Sequence, residues 1–308
     1  MKMKERLVSD ELKIYKSLNS RKELSVKEKH NFSGLEKGFI GEKLFDQCLE
    51  PVLDNRILLP DMQFMPKSTF VQIDTILLTS KLIYSFEVKN YEGDHVLEGD
   101  NLLRTDGTDT KNPLLQLKRN EPVLRSILDN LGFKIPIQSI AVFVNPRFHL
   151  YNAPVDLPII YPTQLERFIE KLNYTPSFLK KHHTEIATKL ISSTVAENPY
   201  VRLPEYRYDE LRKGIVCPGC GGFYGEYVRS TLTCNLCGGR ESAHSAVLRS
   251  IEEVKRLFPD RKITVSLAMD WCSIVRSPET MKKILLTNFN LINSGRGSHY
   301  VSKHKLKT

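Results

Sequence analysis

No apolar run of 18 residues occurs anywhere in this 308-residue chain, and no N-terminal run is long enough for a signal peptide. The sequence therefore reads as soluble and cytoplasmic, with no membrane partner. Cysteine is scarce and unevenly placed: Cys48 and Cys272 stand alone, and the other four of the six form two CxxC pairs. In a reducing compartment such pairs favour a metal over disulfides. Acidic residues are in deficit, 36 against 45 Lys and Arg, for a net charge of +9. The deficit is local. Residues 34–170 carry 14 basic against 19 acidic residues, whereas residues 238–308 carry 13 against 6. An acidic segment suits a site that collects cations, and a basic one suits a polyanionic partner.

The central stretch is Val71–Asn90. It reads as two apolar strands joined by a turn near Ser80-Lys81. A symmetric turn sets Asp74 opposite Glu87 and Gln72 opposite Lys89, so these four gather at the open end of one face. Ile73, Thr75 and Leu77 then share the other face with Tyr84, Phe86 and Val88. Carboxylates on facing positions, with Cβ atoms ~5 Å apart, repel each other. Two arrangements relieve that repulsion. One is a bound divalent cation, Mg²⁺ or Mn²⁺, which prefers hard oxygen ligands. The other is a structural ion pair with Lys89.

Around this hairpin the chain punctuates itself. An amphipathic helix is expected over about residues 5–20, followed by a charged connector. Residues 35–50 form a second helix, with Leu35, Phe39, Glu42, Phe45 and Leu49 on one side. Glu98-Gly99 and Asp106-Gly107 mark turns of a further hairpin extending the sheet. Asn112-Pro113 opens a helix, with Gln116 one turn in. Ile137–Asn145 has the unbroken apolar character of a buried parallel or central strand, and Leu157–Ile160 that of a short one. His182-His183 read as surface histidines, because neighbours on a helix face about 100° apart.

Asp74 with Glu87-Val88-Lys89 resembles the D…(D/E)xK signature of the restriction-endonuclease-like superfamily. Gly38-Phe39-Ile40-Gly41-Glu42, Gln72-Ile73-Asp74, Glu87-Val88-Lys89-Asn90 and Asn112-Pro113 with Gln116 together resemble the nuclease-related domain (NERD) family over about residues 34–165. Two positions depart from its pattern. Thr75 follows the aspartate where histidine is frequent, and Leu102 or Leu103 stands near an expected tryptophan. The resemblance implies an α/β domain with a restriction-endonuclease-like mixed sheet flanked by helices. It implies metal-dependent hydrolysis of DNA phosphodiesters, with RNA not excluded. Asp74, Glu87 and the Val88 carbonyl would hold Mg²⁺ (or Mn²⁺). Lys89 would position water or stabilise phosphate charge, and Glu42 and Gln116 would shape the site. The rival expectation is a non-catalytic nucleic-acid-binding or regulatory protein that retains a nuclease fold.

Cys217-x₂-Cys220 and Cys234-x₂-Cys237, separated by 13 residues, have the spacing of a structural zinc ribbon over 214–240. Residues 241–308 outline three short helices and a hairpin, as in a winged-helix-like DNA-binding module. A protein-docking module shares that outline, and the basic charge favours DNA, with Lys282, Lys283 and Arg296 touching it. The expected domains are thus a helical extension (1–33), a nuclease-related domain (34–170), a helical linker (171–213), the ribbon and the C-terminal module.

Overall fold

The computed structural model describes residues 1–195, 198–201 and 203–303, with the side chain of Arg296 excepted. After an extended start come α1 (Asp10–Arg21) and α2 (Val26–Leu49). The strands β1 (Ile57–Phe64), β2 (Val71–Leu78), β3 (Ile83–Lys89), β4 (Gly93–Glu98), β5 (Asn101–Arg104) and β6 (Asp109–Thr110) lead to α3 (Pro113–Asn130). Then follow β7 (Ile137–Phe143), β8 (Phe148–Tyr151), β9 (Ile159–Ile160), α4 (Pro162–Tyr174) and α5 (Lys181–Ser192). The chain forms two compact units. The first comprises Met1–Val8 and Ser33–Val201, the second Ser9–Phe32 and the described part of Arg202–Thr308.

The main sheet of the first unit is mixed, in the order β1-β2-β3-β7-β9. β1, β2 and β3 are antiparallel, and β7 lies parallel to both β3 and β9. Helices cover both faces. On one, Leu124, Ile127 and Leu128 of α3 and Ile186, Ala187 and Leu190 of α5 pack against Ile76, Leu78 and Ile83. On the other, Phe45 and Leu49 of α2 and Leu172 of α4 pack against Leu77, Phe86, Val88 and Val142. This is a mixed α/β architecture consistent with a nuclease-like fold. β6-β5-β4-β8 form a separate four-stranded sheet, so the 93–109 hairpin starts a second sheet rather than extending the first.

The central hairpin keeps the expected register, Thr75 with Phe86 and Leu78 with Ile83. The division of faces differs at its open end. Ile73 packs with Ile76, Leu78 and Ile83, not with Leu77 and Phe86. The cause lies across β1, where Asp61 adopts φ +50° between the pairs Pro60–Thr75 and Met62–Ile73. That left-handed residue turns the strand pair over at the level of Asp74.

Other boundaries follow local chemistry. The Ser9 hydroxyl accepts from Leu12 N, so α1 starts at Asp10 rather than near residue 5. Ser25 and Glu28 form a reciprocal capping box, which starts α2 nine residues earlier than the apolar stripe indicated. Residues 1–33 are therefore not one extension: the first eight join the nuclease-like unit and α1 packs with the second. Residues 171–201 are likewise no linker, because α5 contributes core to the main sheet. His183 is buried, not exposed, its Nδ1 accepting from Lys180 N and its Nε2 facing the Ser80 carbonyl.

The second unit holds β10 (Tyr224–Val228), β11 (Thr231–Cys234) and β12 (Arg240–Ser242) in one small sheet. Helices α6 (Ala243–Leu257), α7 (Val265–Cys272) and α8 (Pro278–Asn288) follow, then the hairpin β13 (Phe289–Ile292) and β14 (His299–Ser302). Trp271, fully buried, carries the Arg21 guanidinium 4.0 Å from its ring centre, and Arg21 also pairs with Glu253 of α6.

At Gly41, α2 closely approaches the residues that follow β3 and β7. A Cβ there would lie 2.6 Å from the Asn90 Cβ and 3.3 Å from Val144 Cγ2, while one on Gly38 would meet nothing. The two glycines should respond oppositely to alanine. Gly41→Ala should cost about 1–3 kcal/mol by overpacking, whereas Gly38→Ala should gain up to about 1 kcal/mol of helix propensity. Urea unfolding midpoints of the two variants check this.

Candidate active site and metal centre

The close approach at Gly41 brings the next residue, Glu42, to the end of the sheet where β2 and β3 part. Here the ladder stops after Thr75–Phe86, and Asp74 puts its carboxylate into the gap. Its Oδ2 accepts the Val88 N–H at 2.8 Å. Glu87 Oε1 receives Lys89 Nζ at 2.7 Å, and both side chains are largely buried. Asn120 of α3 ties its amide to the Gln72 carbonyl, fixing α3 beside β2. One turn earlier on α3, the Gln116 Oε1 is buried and has no hydrogen-bond partner among the described residues.

The electrostatics follow from this burial. Desolvation raises the Asp74 pKa, opposed by Lys89 and by the Val88 N–H. Desolvation, with the charge of Asp74 second, raises Glu87 to about 7 against the pull of Lys89. Glu42 is raised to about 8, again by burial first and Asp74 second, with Arg6 opposing. Burial works to discharge Lys89, but Glu87 and Asp74 outweigh it and its pKa rises. Such displaced titrations are typical of functional carboxylates. The Tyr91 phenol belongs to the same field: burial raises its pKa, while Lys89 opposes, and its hydroxyl donates to the Lys111 carbonyl.

Sequence reading missed the residue that binds this cluster together. Arg6, in the extended segment before α1, has a side chain only 3% exposed. Its Nε and Nη2 clasp Asp46 at 2.8 and 2.9 Å, and its Nη1 reaches Glu42 at 2.5 Å. The same Nη2 lies 2.7 Å from the Asp74 carbonyl and 2.8 Å from Thr75 Oγ1. No periodicity or motif marks Arg6. Asp46, at i+4 from Glu42, did carry a signal, a carboxylate on the buried side of α2.

Asp74, Glu87, Lys89 and Val88 are thus brought together, with Glu42 joined to them through Arg6, while Gln116 lies on α3 one turn before the Asn120 that bonds Gln72. Asp74 Oδ1 and Glu87 Oε2 make no hydrogen bond among the described residues. Two hard carboxylate oxygens suit a small divalent cation with its waters. Among the described residues, however, only the four cysteines bring three or more ligand atoms within 4.8 Å of one another. Glu42 does not complete such a set here, and its Oε2 accepts from Arg6. Lys282 and Lys283 are exposed on α8 in the second unit, and the side chain of Arg296 lies outside the described residues.

Folded Glu87 and Glu42 retain protons to about pH 7 and 8, against 4.5 for an ordinary glutamate. Their contribution to stability is therefore full below about pH 4.5 and is lost as pH rises through those values. Glu87→Gln should flatten the fall in urea midpoint between pH 5 and 9, measured without added divalent cation.

The cysteines form a second centre. Cys217 and Cys237 sulfurs lie 3.7 Å apart, Cys220 and Cys234 3.5 Å. A tetrahedral zinc with Zn–S of ~2.3 Å sets sulfurs ~3.8 Å apart, so the four fit a zinc ribbon. The knuckle turns place Gly221 and Gly238 at φ +74° and +69°. Backbone N–H groups of Cys237 and Leu236 hold the Cys234 thiol down to about 7, ready to ionise. This arrangement predicts one zinc per chain by elemental analysis, and Cys234→Ser should lose it together with cooperative unfolding of the second unit.

No curated protein and no solved structure matches the chain. The family model of the nuclease-related domain matches residues 37–144. The matched segment contains Glu42, Asp74, Glu87, Lys89 and Gln116, but neither Arg6 nor the four clustered cysteines Cys217, Cys220, Cys234 and Cys237. Residues 37–144 of this chain are a nuclease-related domain.

Proposed function

We propose that the protein is a metal-dependent nuclease that hydrolyses DNA phosphodiester bonds, with the second unit tethering it to DNA. The observation that carries this reading is the buried Asp74–Glu87–Lys89 group, which presents two carboxylate oxygens that accept no hydrogen bond among the described residues. Asp74, Glu87 and the Val88 carbonyl would hold Mg²⁺ or Mn²⁺. That ion supplies Lewis acidity and a hydroxide-like nucleophile when bound. Lys89, kept protonated by its two carboxylate neighbours, orients the attacking water or neutralises charge on the phosphate. Gln116 accepts a hydrogen bond from the same water, which satisfies its buried oxygen. Glu42 would shape the rim, its Oε2 held by Arg6.

The second unit supports the tether. Its zinc ribbon would be structural, its bound zinc standing in for a core too small to fold alone. Helices α6 to α8 and the β13–β14 hairpin have the outline of a winged helix, with Lys282 and Lys283 exposed on the third helix and Arg296 in the wing.

Glu87→Gln should abolish cleavage of supercoiled plasmid in Mg²⁺ or Mn²⁺ while leaving the folded chain intact by circular dichroism. Undiminished cleavage by that variant would refute the assignment. Lys282→Glu with Lys283→Glu should weaken binding to duplex DNA uniformly across sequences. It should also reduce the log–log salt slope by about 0.9 for each phosphate no longer neutralised, measured by titrations from 50 to 200 mM salt.

A further inference from the structure

Arg6 lies outside the family match, yet it touches more of the carboxylate centre than any residue within it. Its segment is fixed in place rather than trailing. Met3 N donates to the Leu58 carbonyl at 3.2 Å, Leu58 N donates to the Met1 carbonyl at 3.0 Å, and Lys4 reaches the Asp61 carbonyl. The strand pairing with β1 thereby delivers one guanidinium to Glu42, Asp46, the Asp74 backbone and Thr75. Its planar fork matches a carboxylate two bonds at a time, which a lysine cannot do.

Placement of the donors gives this pairing a consequence for the metal. The Arg6 guanidinium bonds Glu42 Oε2 through Nη1 and the Asp74 carbonyl through Nη2, so the Glu42 carboxyl stands one guanidinium's width from the Asp74 backbone. A carboxylate at that distance is either a third ligand or a competitor for the cation's water shell. Arg6 would decide between the two by occupying Glu42 Oε2, which would leave Asp74 and Glu87 to hold the ion. Thr75 has a part in this. Its hydroxyl both receives Arg6 and lies 3.3 Å from Asp46 Oδ1, so the guanidinium is enclosed on every side.

We infer that Arg6 is a positioning residue that withholds Glu42 from the divalent cation, so that the active centre of this nuclease-related domain is completed by residues 1–8. The inference rests on the metal centre proposed above. A purely structural Arg6 and a withholding Arg6 make opposite predictions for metal affinity. Loss of a structural residue loosens the site. Loss of a withholding residue frees a carboxylate and removes a nearby positive charge, and both changes tighten cation binding.

The test is calorimetric titration of the full-length protein with Mn²⁺, its cysteine site loaded with zinc beforehand, alongside plasmid cleavage. Arg6→Met should bind Mn²⁺ at least about tenfold more tightly than the unmodified chain and cleave DNA at least about tenfold more slowly, because the freed carboxylate fills a position that water or phosphate needs. Glu42→Gln added to Arg6→Met should return the affinity to that of the unmodified chain, which identifies Glu42 as the cause. Should Arg6→Met fail to fold, Arg6→Met with Asp46→Asn removes the buried pair as a unit and should show the same tightening. Unchanged or weaker Mn²⁺ binding in a folded variant overturns the inference while leaving the metal centre standing. Absence of Mn²⁺ binding to the unmodified chain, or binding undiminished by Glu87→Gln, overturns the metal centre and the inference together.

Discussion

Four carboxylates, Glu42, Asp46, Asp74 and Glu87, crowd the end of one sheet, and two side-chain cations, Arg6 and Lys89, stand among them. The rest of the first unit is arranged to keep that crowd of acidic groups in place. Removing one partner of a buried ion pair typically costs about 3–5 kcal/mol, because the other is left uncompensated. The scaffold must therefore hold every member at once. Gly41 lets α2 approach, the φ +50° turn at Asp61 reorients the strand pair, and Asn120 fastens α3 to Gln72. The apolar clusters on the two faces of the sheet supply the burial that makes the charges consequential.

The two cations differ in kind. Lys89 pairs with Glu87 across one strand, two residues away, so its place is set by β-strand periodicity alone. Arg6 reaches its partners across 36, 40 and 68 residues, through a segment that pairs with β1 before α1 begins. A local pair of this sort follows from the motif. A long-range one follows from topology, and it places the control of Glu42 in a stretch that the family pattern does not include.

That difference explains how far the sequence could be read. The hairpin register was legible because its turn is symmetric and its strands are continuous, and the Cys217–Cys237 spacing states its own geometry. Asn112 was legible as a cap, its side chain accepting from Leu114 N. The inversion at Ile73 was not, because it depends on a backbone angle at Asp61 on the neighbouring strand. The early start of α2 was present as Ser25-x-x-Glu28 but stood apart from any apolar stripe. Arg6 had no signal at all. A single basic residue in a charged segment reads as solvated until a fold buries it, and here it is almost fully enclosed.

The central claim is that Asp74 and Glu87 share a divalent cation. The most direct measurement is anomalous diffraction from crystals of the full-length protein soaked in Mn²⁺, with data collected at the manganese edge. The account predicts a peak between the Asp74 and Glu87 carboxylates, within ligand distance of the Val88 carbonyl, separate from the zinc among Cys217, Cys220, Cys234 and Cys237. Zinc present at the cysteines with no manganese at the carboxylates, in a lattice that leaves the sheet end open to solvent, would contradict it.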